Sequence, residues 1–321
     1  MNFSLLAENL SNPALLFFVL GIIAVYVKSD LEIPPNSSKF ISLYLLFSIG
    51  FKGGQELSHE TFNTEIGLSM LFGIGASLFI PFYTFFILKK RLGVFNAGAI
   101  AAAYGSVSAV TFVTAVSYLE AHDLTLSGHM VAIMALMESP AIIIGLVLIS
   151  LYNTESDQAI SKKSVLKHSF TNGSVLLILG SLLIGYVADA KQAEGIKPFT
   201  TDLFKGFLAI FLLDMGISSG KKLQSFFSFG WFPFIFAAII PLVNGCLFAA
   251  LSSLVTHDMG NRFAFAVLAA SASYIAVPAA MKVNVPKANP GLFLPMALAI
   301  TFPINITIGM PLYLTVINSF G

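Results

Sequence analysis

Apolar residues run along this chain in blocks of about 16 to 28, separated by short polar stretches. Such blocks are too continuous for the one-sided stripe of a soluble amphipathic helix. Ten of them have the length to cross a bilayer, allowing for tilt and breaks. They lie at residues 13–28, 39–56, 64–88, 95–119, 128–152, 172–189, 203–220, 228–254, 262–282 and 291–318. The pattern predicts an all-α integral membrane protein of ten transmembrane helices.

Two of these blocks are interrupted by the same hydroxyl-rich motif, AAYGSVSAVT at 102–111 and AASASYIAVP at 269–278, an offset of 167 between Ser106 and Ser273. Other tracts repeat at nearly the same spacing: IGFKGGQEL at 49–57 matches MGISSGKKL at 215–223, offset 166, and Pro81 matches Pro241, offset 160. The chain therefore reads as a doubled five-helix unit. The first repeat covers 1–152, a polar linker 153–171, and the second repeat 172–321. An odd number of spans per unit inserts the second copy upside down, giving inverted repeats.

Composition agrees: 56% hydrophobic and 10% charged residues leave too little polar surface to cover a soluble globule of 321 residues. The distribution of charge says more than its sum of +1. With the N-terminus outside, Lys28, Lys39, Lys89, Lys90, Arg91, Lys162, Lys163, Lys167, Lys221, Lys222, Lys282 and Lys287 fall inside, 12 in all. Only 5 (Lys52, Lys191, Lys197, Lys205 and Arg262) fall outside. The positive-inside rule then predicts both termini outside and a cell-membrane location. No basic region precedes the apolar block at Pro13, so that block is expected to be retained as a helix. The one cysteine, Cys246, excludes disulfides and cysteine metal sites, and the charge pattern gives no reason to expect a nucleic-acid partner.

The repeated motifs carry the candidate chemistry. Gly105, Ser106 and Ser108 weaken the helix after the alanine run at 97–103, while Pro278 is expected to push Val277 out of helix, so the fourth and ninth spans should both be discontinuous. Unpaired backbone at membrane depth is tolerated only where protein buries it or a wet cavity adjoins it. Two half-helix N-termini meeting there would each offer about half a positive charge and free N–H groups, which suits a small anion. The two arginines stand at membrane edges, so dipoles and hydroxyls would have to hold that anion. Glu138, alone as an acid in its span, needs a partner or a task. With the hydroxyls of Ser108 and Thr111, and Asn305 near Pro303 in the equivalent tenth span, it makes a hard oxygen set suited to sodium, and no transition metal or other cofactor is called for. Asp214, whose counterpart in the first repeat is Ser48, reads as structural, and Gly50, Gly53, Gly54, Gly216 and Gly220 as sites of close helix approach.

The tracts GFKGGQEL, AAYGSVSAVTFVTA, MESPAIIIGLVL, FLLDMGISSG, AASASYIAVPAAMK and FPINITIGMPLY resemble those of the sodium-dependent bicarbonate transporter family over essentially the whole chain. The resemblance implies crossing broken spans 4 and 9 in a core domain, a gate domain of spans 1, 2, 6 and 7, a homotrimer, and elevator-type symport of sodium and bicarbonate. It also implies an anion pocket at Gly105, Ser106 and Ser108 against Ser271, Ala272, Ser273 and Tyr274, with sodium beside Thr111 and Glu138. Two departures stand out: Glu138 replaces an expected shorter Asp, and the linker is shorter than in members that bind a PII-like cytoplasmic regulator, which argues against such a partner. The rival functions are transport of another small carboxylate or sodium/proton exchange on the same architecture. An intramembrane enzyme is disfavoured, because Gly216 to Gly220 match G-x-S-x-G without a strand-to-helix elbow or a mid-span histidine.

Overall fold

The computed structural model describes residues 13–153 and 173–319. The linker at 153–171, with its lysines and His168, thus lies almost wholly outside the described residues. Within them every regular element is helical and none is a strand. In chain order these are α1 (Pro13–Tyr26), α2 (Pro35–Leu57), α3 (Thr64–Gly105), α4 (Ala109–Ala121), α5 (His129–Tyr152), α6 (Gly173–Val187), the short α7 (Ala190–Glu194), α8 (Phe204–Phe226), α9 (Trp231–Leu251), α10 (Met259–Ala270), α11 (Ala276–Asn284) and the composite α12 (Pro290–Ser319). Among the described residues, five helical stretches are long and apolar enough to cross a membrane: Thr64–Ala121, His129–Tyr152, Pro198–Leu223, Trp231–Leu254 and Pro290–Ser319. Large apolar side chains such as Leu71, Phe79, Leu183, Ile239 and Val243 face outward from these and the shorter helices, the surface a hydrocarbon solvent requires.

The boundary expected between the third and fourth blocks falls at Gly93 (φ 76°, ψ 165°), where two helices meet at a kink inside α3, and Lys89, Lys90 and Arg91 continue the first of them up to it. A single residue reverses the path because glycine has no Cβ to oppose positive φ. Lys89 keeps its charge at the rim by resting its ammonium 3.8 Å from the centroid of the Tyr152 ring.

In lipid, helices associate through close packing, so small residues mark the tightest crossings. α1 packs on α8 with Gly21 against Gly216, where a Cβ on Gly21 would stand 3.0 Å from the Gly216 Cα. α2 packs on α6 in the same manner: Gly185 lies against the Phe51 carbonyl and Gly54 against the Leu182 carbonyl. Both crossings are thus made by glycines against the backbone of the neighbouring helix. Gly216→Val should therefore force α1 and α8 apart at backbone contacts that cannot yield. Loss of monodisperse protein in detergent, or a melting temperature lowered by a destabilisation of about 3 kcal/mol or more, is the expected result; an unchanged melting curve would refute the crossing.

Asp214, on α8, accepts a hydrogen bond from the Ser38 hydroxyl of α2, which gives this buried acid the structural role its asymmetry suggested. α12 alternates α-helix with wider π-helical turns at Met296–Thr301 and Asn305–Gly309. Pro295, Pro303 and Pro311 each remove a donor from its ladder, and the register slips to the longer spacing.

Candidate functional site: two helix breaks facing each other

The alanine-rich end of α3 is buried throughout from Ala97 to Gly105, and the chain then turns extended at Ser106 (φ −81°, ψ 178°). Gly105 is placed by packing as well as by propensity, because a Cβ there would overlap the Pro81 ring. Helix resumes at Ala109, capped by Ser108, whose hydroxyl accepts from the Thr111 N–H at 3.2 Å. In the second copy α10 stops at Ser271 (φ −79°, ψ 165°) and α11 starts at Ala276. Val277 is thus helical, contrary to the sequence expectation. Pro278 falls in the first turn of α11, where its missing N–H would have had no helical partner in any case.

Each break satisfies the other. The Ser273 N–H donates to the Ala103 carbonyl at 2.8 Å, and the Ser108 N–H donates to the Ser271 hydroxyl at 3.0 Å. Those groups are orphaned by the helix ends, and unpaired backbone polar groups in an apolar interior cost several kcal/mol each. The reciprocal bonds hold the two interruptions at one depth. Ser108→Ala is expected to destabilise α4 by about 1 kcal/mol through the lost cap, and Ser108→Thr to preserve it; thermal melting of the two variants distinguishes them, and equal melting would show that the cap carries nothing.

A small cavity lies between the breaks, lined by Leu46, Val107, Ser108, Ala109, Glu138, Ser273, Tyr274, Ile275 and Ala276. Ala109 and Ala276 are the first residues of α4 and α11, so two helix N-termini open on this space. Together they present roughly one positive elementary charge, and the half-buried Glu138 presents a carboxyl group. The Tyr274 hydroxyl is buried beside Ser108 with no partner at hydrogen-bonding geometry. The cavity volume is about 20 Å³, room for little more than one water at about 10–15 Å³ each.

Of the residues expected to form the site, Ser108, Glu138, Ser273 and Tyr274 line this space. The others are buried around it. The Ser106 hydroxyl donates to the Glu138 backbone carbonyl at 3.3 Å, tying α5 to the first break. Ser271 bonds back to the Leu268 carbonyl at 2.9 Å, and Ala272 is packed at 2% exposure. Thr111 lies in the first turn of α4 and is buried. Asn305 is engaged at the other break: its amide donates to the Ala270 carbonyl at 2.7 Å and accepts from the Tyr313 hydroxyl at 2.7 Å. Among the described residues no three His, Cys, Asp or Glu side chains converge, so a cation in this cavity would be held by one carboxylate with hydroxyls and carbonyls. That oxygen set suits a hard ion. The serine of the G-x-S-x-G match, Ser218, lies inside the continuous helix α8, so it forms no strand-to-helix nucleophile elbow.

Sequence reasoning missed two parts of the surroundings. Val107, Leu46 and Ile275 are apolar walls that only chain crossing brings together. The Tyr104 hydroxyl meets Thr301 Oγ1 at 2.7 Å, and Thr301 in turn donates to the Ala237 carbonyl at 2.8 Å, linking α3, α12 and α9. The Thr301 position could have been found from the duplication, since it corresponds to Glu138 when Pro303 is matched to Pro140.

Comparison with curated proteins gives no match. A family model described as the Na+-dependent bicarbonate transporter superfamily matches residues 13–318, nearly the whole chain and a span that contains both helix breaks. The chain thus belongs to the Na+-dependent bicarbonate transporter superfamily and is an integral membrane protein of that family.

Proposed function

We propose that this protein is a sodium-coupled symporter of bicarbonate or a similar small anion, built of ten spans in two inverted five-helix repeats. The observation that carries the reading is the convergence of the α4 and α11 N-termini and Glu138 on one cavity. Two positive dipole ends with one carboxylate favour one anion and one cation held together, and neither ligand alone. The Ser108 and Ser273 hydroxyls and the Tyr274 phenol would bind the anion. Glu138, Ser108 and Thr111 would supply sodium oxygens, with Asn305 fixing the Ala270 carbonyl nearby. Gly105, Ser106, Ser271 and Ala272 shape the two turns that bring these groups into range.

Coupling follows from electrostatics. Moving a monovalent anion into a negative-inside cell works against about 2.3 kcal/mol per 100 mV. One accompanying Na+ cancels that term, and its concentration gradient then drives uptake. The repeated α1–α8 and α2–α6 crossings support a scaffold formed by spans 1, 2, 6 and 7, against which the other helices shift as an elevator. At about 20 Å³ the cavity is contracted, so loading requires Val107, Tyr274 or Ile275 to move before a four-heavy-atom anion fits. We place both termini outside and the protein as a trimer, without a PII-like regulator.

Purified protein in liposomes should accumulate radiolabelled bicarbonate when a sodium gradient is imposed and stop when potassium replaces sodium. Uptake indifferent to sodium would overturn the mechanism. Uptake of a small carboxylate in place of bicarbonate would retain the coupling and change the substrate.

A further inference from the structure

A second cavity, of about 40 Å³, lies on the same helix seam as the first; Ile49, Lys52 and Glu56 of α2 and Val116, Leu119 and Glu120 of α4 are among its walls. The break cavity is bounded by Leu46 of α2 and Ala109 of α4. Lys52 is six residues beyond Leu46, and Val116 seven beyond Ala109. At about 1.5 Å rise per residue, both helices put the second cavity roughly 9–10 Å farther along the seam. The two spaces are therefore stacked along one α2–α4 groove.

Ion pairs close the outer end of this groove. Glu120, in the last turn of α4, takes the Lys52 ammonium of α2 on one oxygen at 3.1 Å and the Lys205 ammonium of α8 on the other at 3.4 Å. The pairs are partly wet, with side chains 30% exposed at Lys52 and 27% at Glu120. They are thus held by modest energies and can exchange partners. Nearby, Glu60 ties the chain beyond α2 to the start of α5, accepting from the Gly128 N–H and pairing with His129 Nδ1, both at 2.7 Å. α4 is the half-helix whose capped N-terminus opens on the break cavity, so its two ends join the inner site to this cluster.

We infer that the second cavity is a vestibule and transit site for the small anion, gated by Glu120: an incoming anion replaces the Glu120 carboxylate on Lys52 and Lys205 and then passes along the α2–α4 seam. The inference rests on the proposed transport reading for the anion's destination. The exchange breaks no covalent bond and conserves charge, since one carboxylate gives way to one anion on the same two ammonium groups. It also explains why a carboxylate stands between two lysines on this seam. A permanent cation pair would trap the anion, and a competing carboxylate lets it leave.

Cysteine labelling tests this without any transport assay. In a Cys246→Ser background, single cysteines at Val116 and at Ala109 are exposed in liposomes to membrane-impermeant thiosulfonate reagents, one anionic and one cationic, and modification is read as a mass shift. Val116→Cys should label from the membrane face that carries Lys52 and Lys205. Glu120→Gln should accelerate the anionic reagent at Val116→Cys by about fivefold or more and leave the cationic reagent slower. Lys52→Met breaks the same pair from the other side and should reverse that charge preference, which covers the case in which Glu120→Gln is poorly folded. Labelling of Ala109→Cys should become measurable from the same face once Glu120 is neutralised. An inert Val116→Cys, labelling only from the opposite face, or rates independent of Glu120 and Lys52 would overturn the vestibule. The expected labelling in protein that does not carry bicarbonate would instead leave the vestibule standing and reject the substrate.

Discussion

Glu138→Ala should reduce sodium-driven uptake by at least about a hundredfold, the consequence of removing one member of a charge pair from a site where the other stays desolvated, at about 3–5 kcal/mol. Among the described residues Glu138 is the only carboxylate lining the break cavity, and without it the two helix N-termini facing it would keep their positive ends with no carboxylate opposite. Glu138→Asp keeps the charge and should recover part of the activity with a raised sodium requirement. Glu138→Gln keeps the shape and should not. The Ser106 bond to residue 138 goes to its backbone carbonyl, so all three variants retain that tie. Full sodium-dependent uptake by Glu138→Ala would remove the carboxylate from the mechanism.

Ser273→Ala should raise the half-saturating anion concentration by roughly tenfold to a hundredfold, the loss of one hydrogen bond to a charged ligand at about 1.5–3 kcal/mol. Its hydroxyl borders the cavity, and among the described residues its only bond is a long one, accepted from the Val277 N–H at 3.5 Å. Little helix stability is therefore at stake. Ser106→Ala should behave differently, because its hydroxyl is directed at the Glu138 carbonyl and Ser106 does not border the cavity. Its expected signature is a changed sodium dependence with a nearly unchanged anion requirement. Concentration series in anion and in sodium on the two variants separate these roles; identical shifts in both would show that the serines are not divided in this way.

The sequence made the helical character, the doubled motif and the location of both breaks legible, because each rests on local terms. Gly105, Ser106 and Ser108 weaken helical hydrogen bonding where they stand, and the alanine run before them needs no tertiary support. Local reasoning went astray where a neighbour could change the outcome. Pro278 was expected to unwind Val277, yet a proline in a first turn removes nothing the helix uses. The helix of the third block also runs past residue 88 to the kink at Gly93, with the Lys89 ammonium over ring faces such as Tyr152.

What the chain determines by itself is therefore one-dimensional: which segments suit lipid, where each must break, and that the pattern occurs twice. Only the tertiary structure decides which of the buried polar groups face one another. Ser106 and Ser273 are equivalent in the repeat, but one hydroxyl serves the Glu138 carbonyl and the other borders the cavity. Asn305 holds the Ala270 carbonyl, and Leu46 of α2 closes a space formed mainly by the two breaks. The reason is that orphaned N–H and C=O groups at membrane depth have no water to turn to, so each must be met by some distant part of the chain. That pairing is a property of packing and leaves no trace in local spacing.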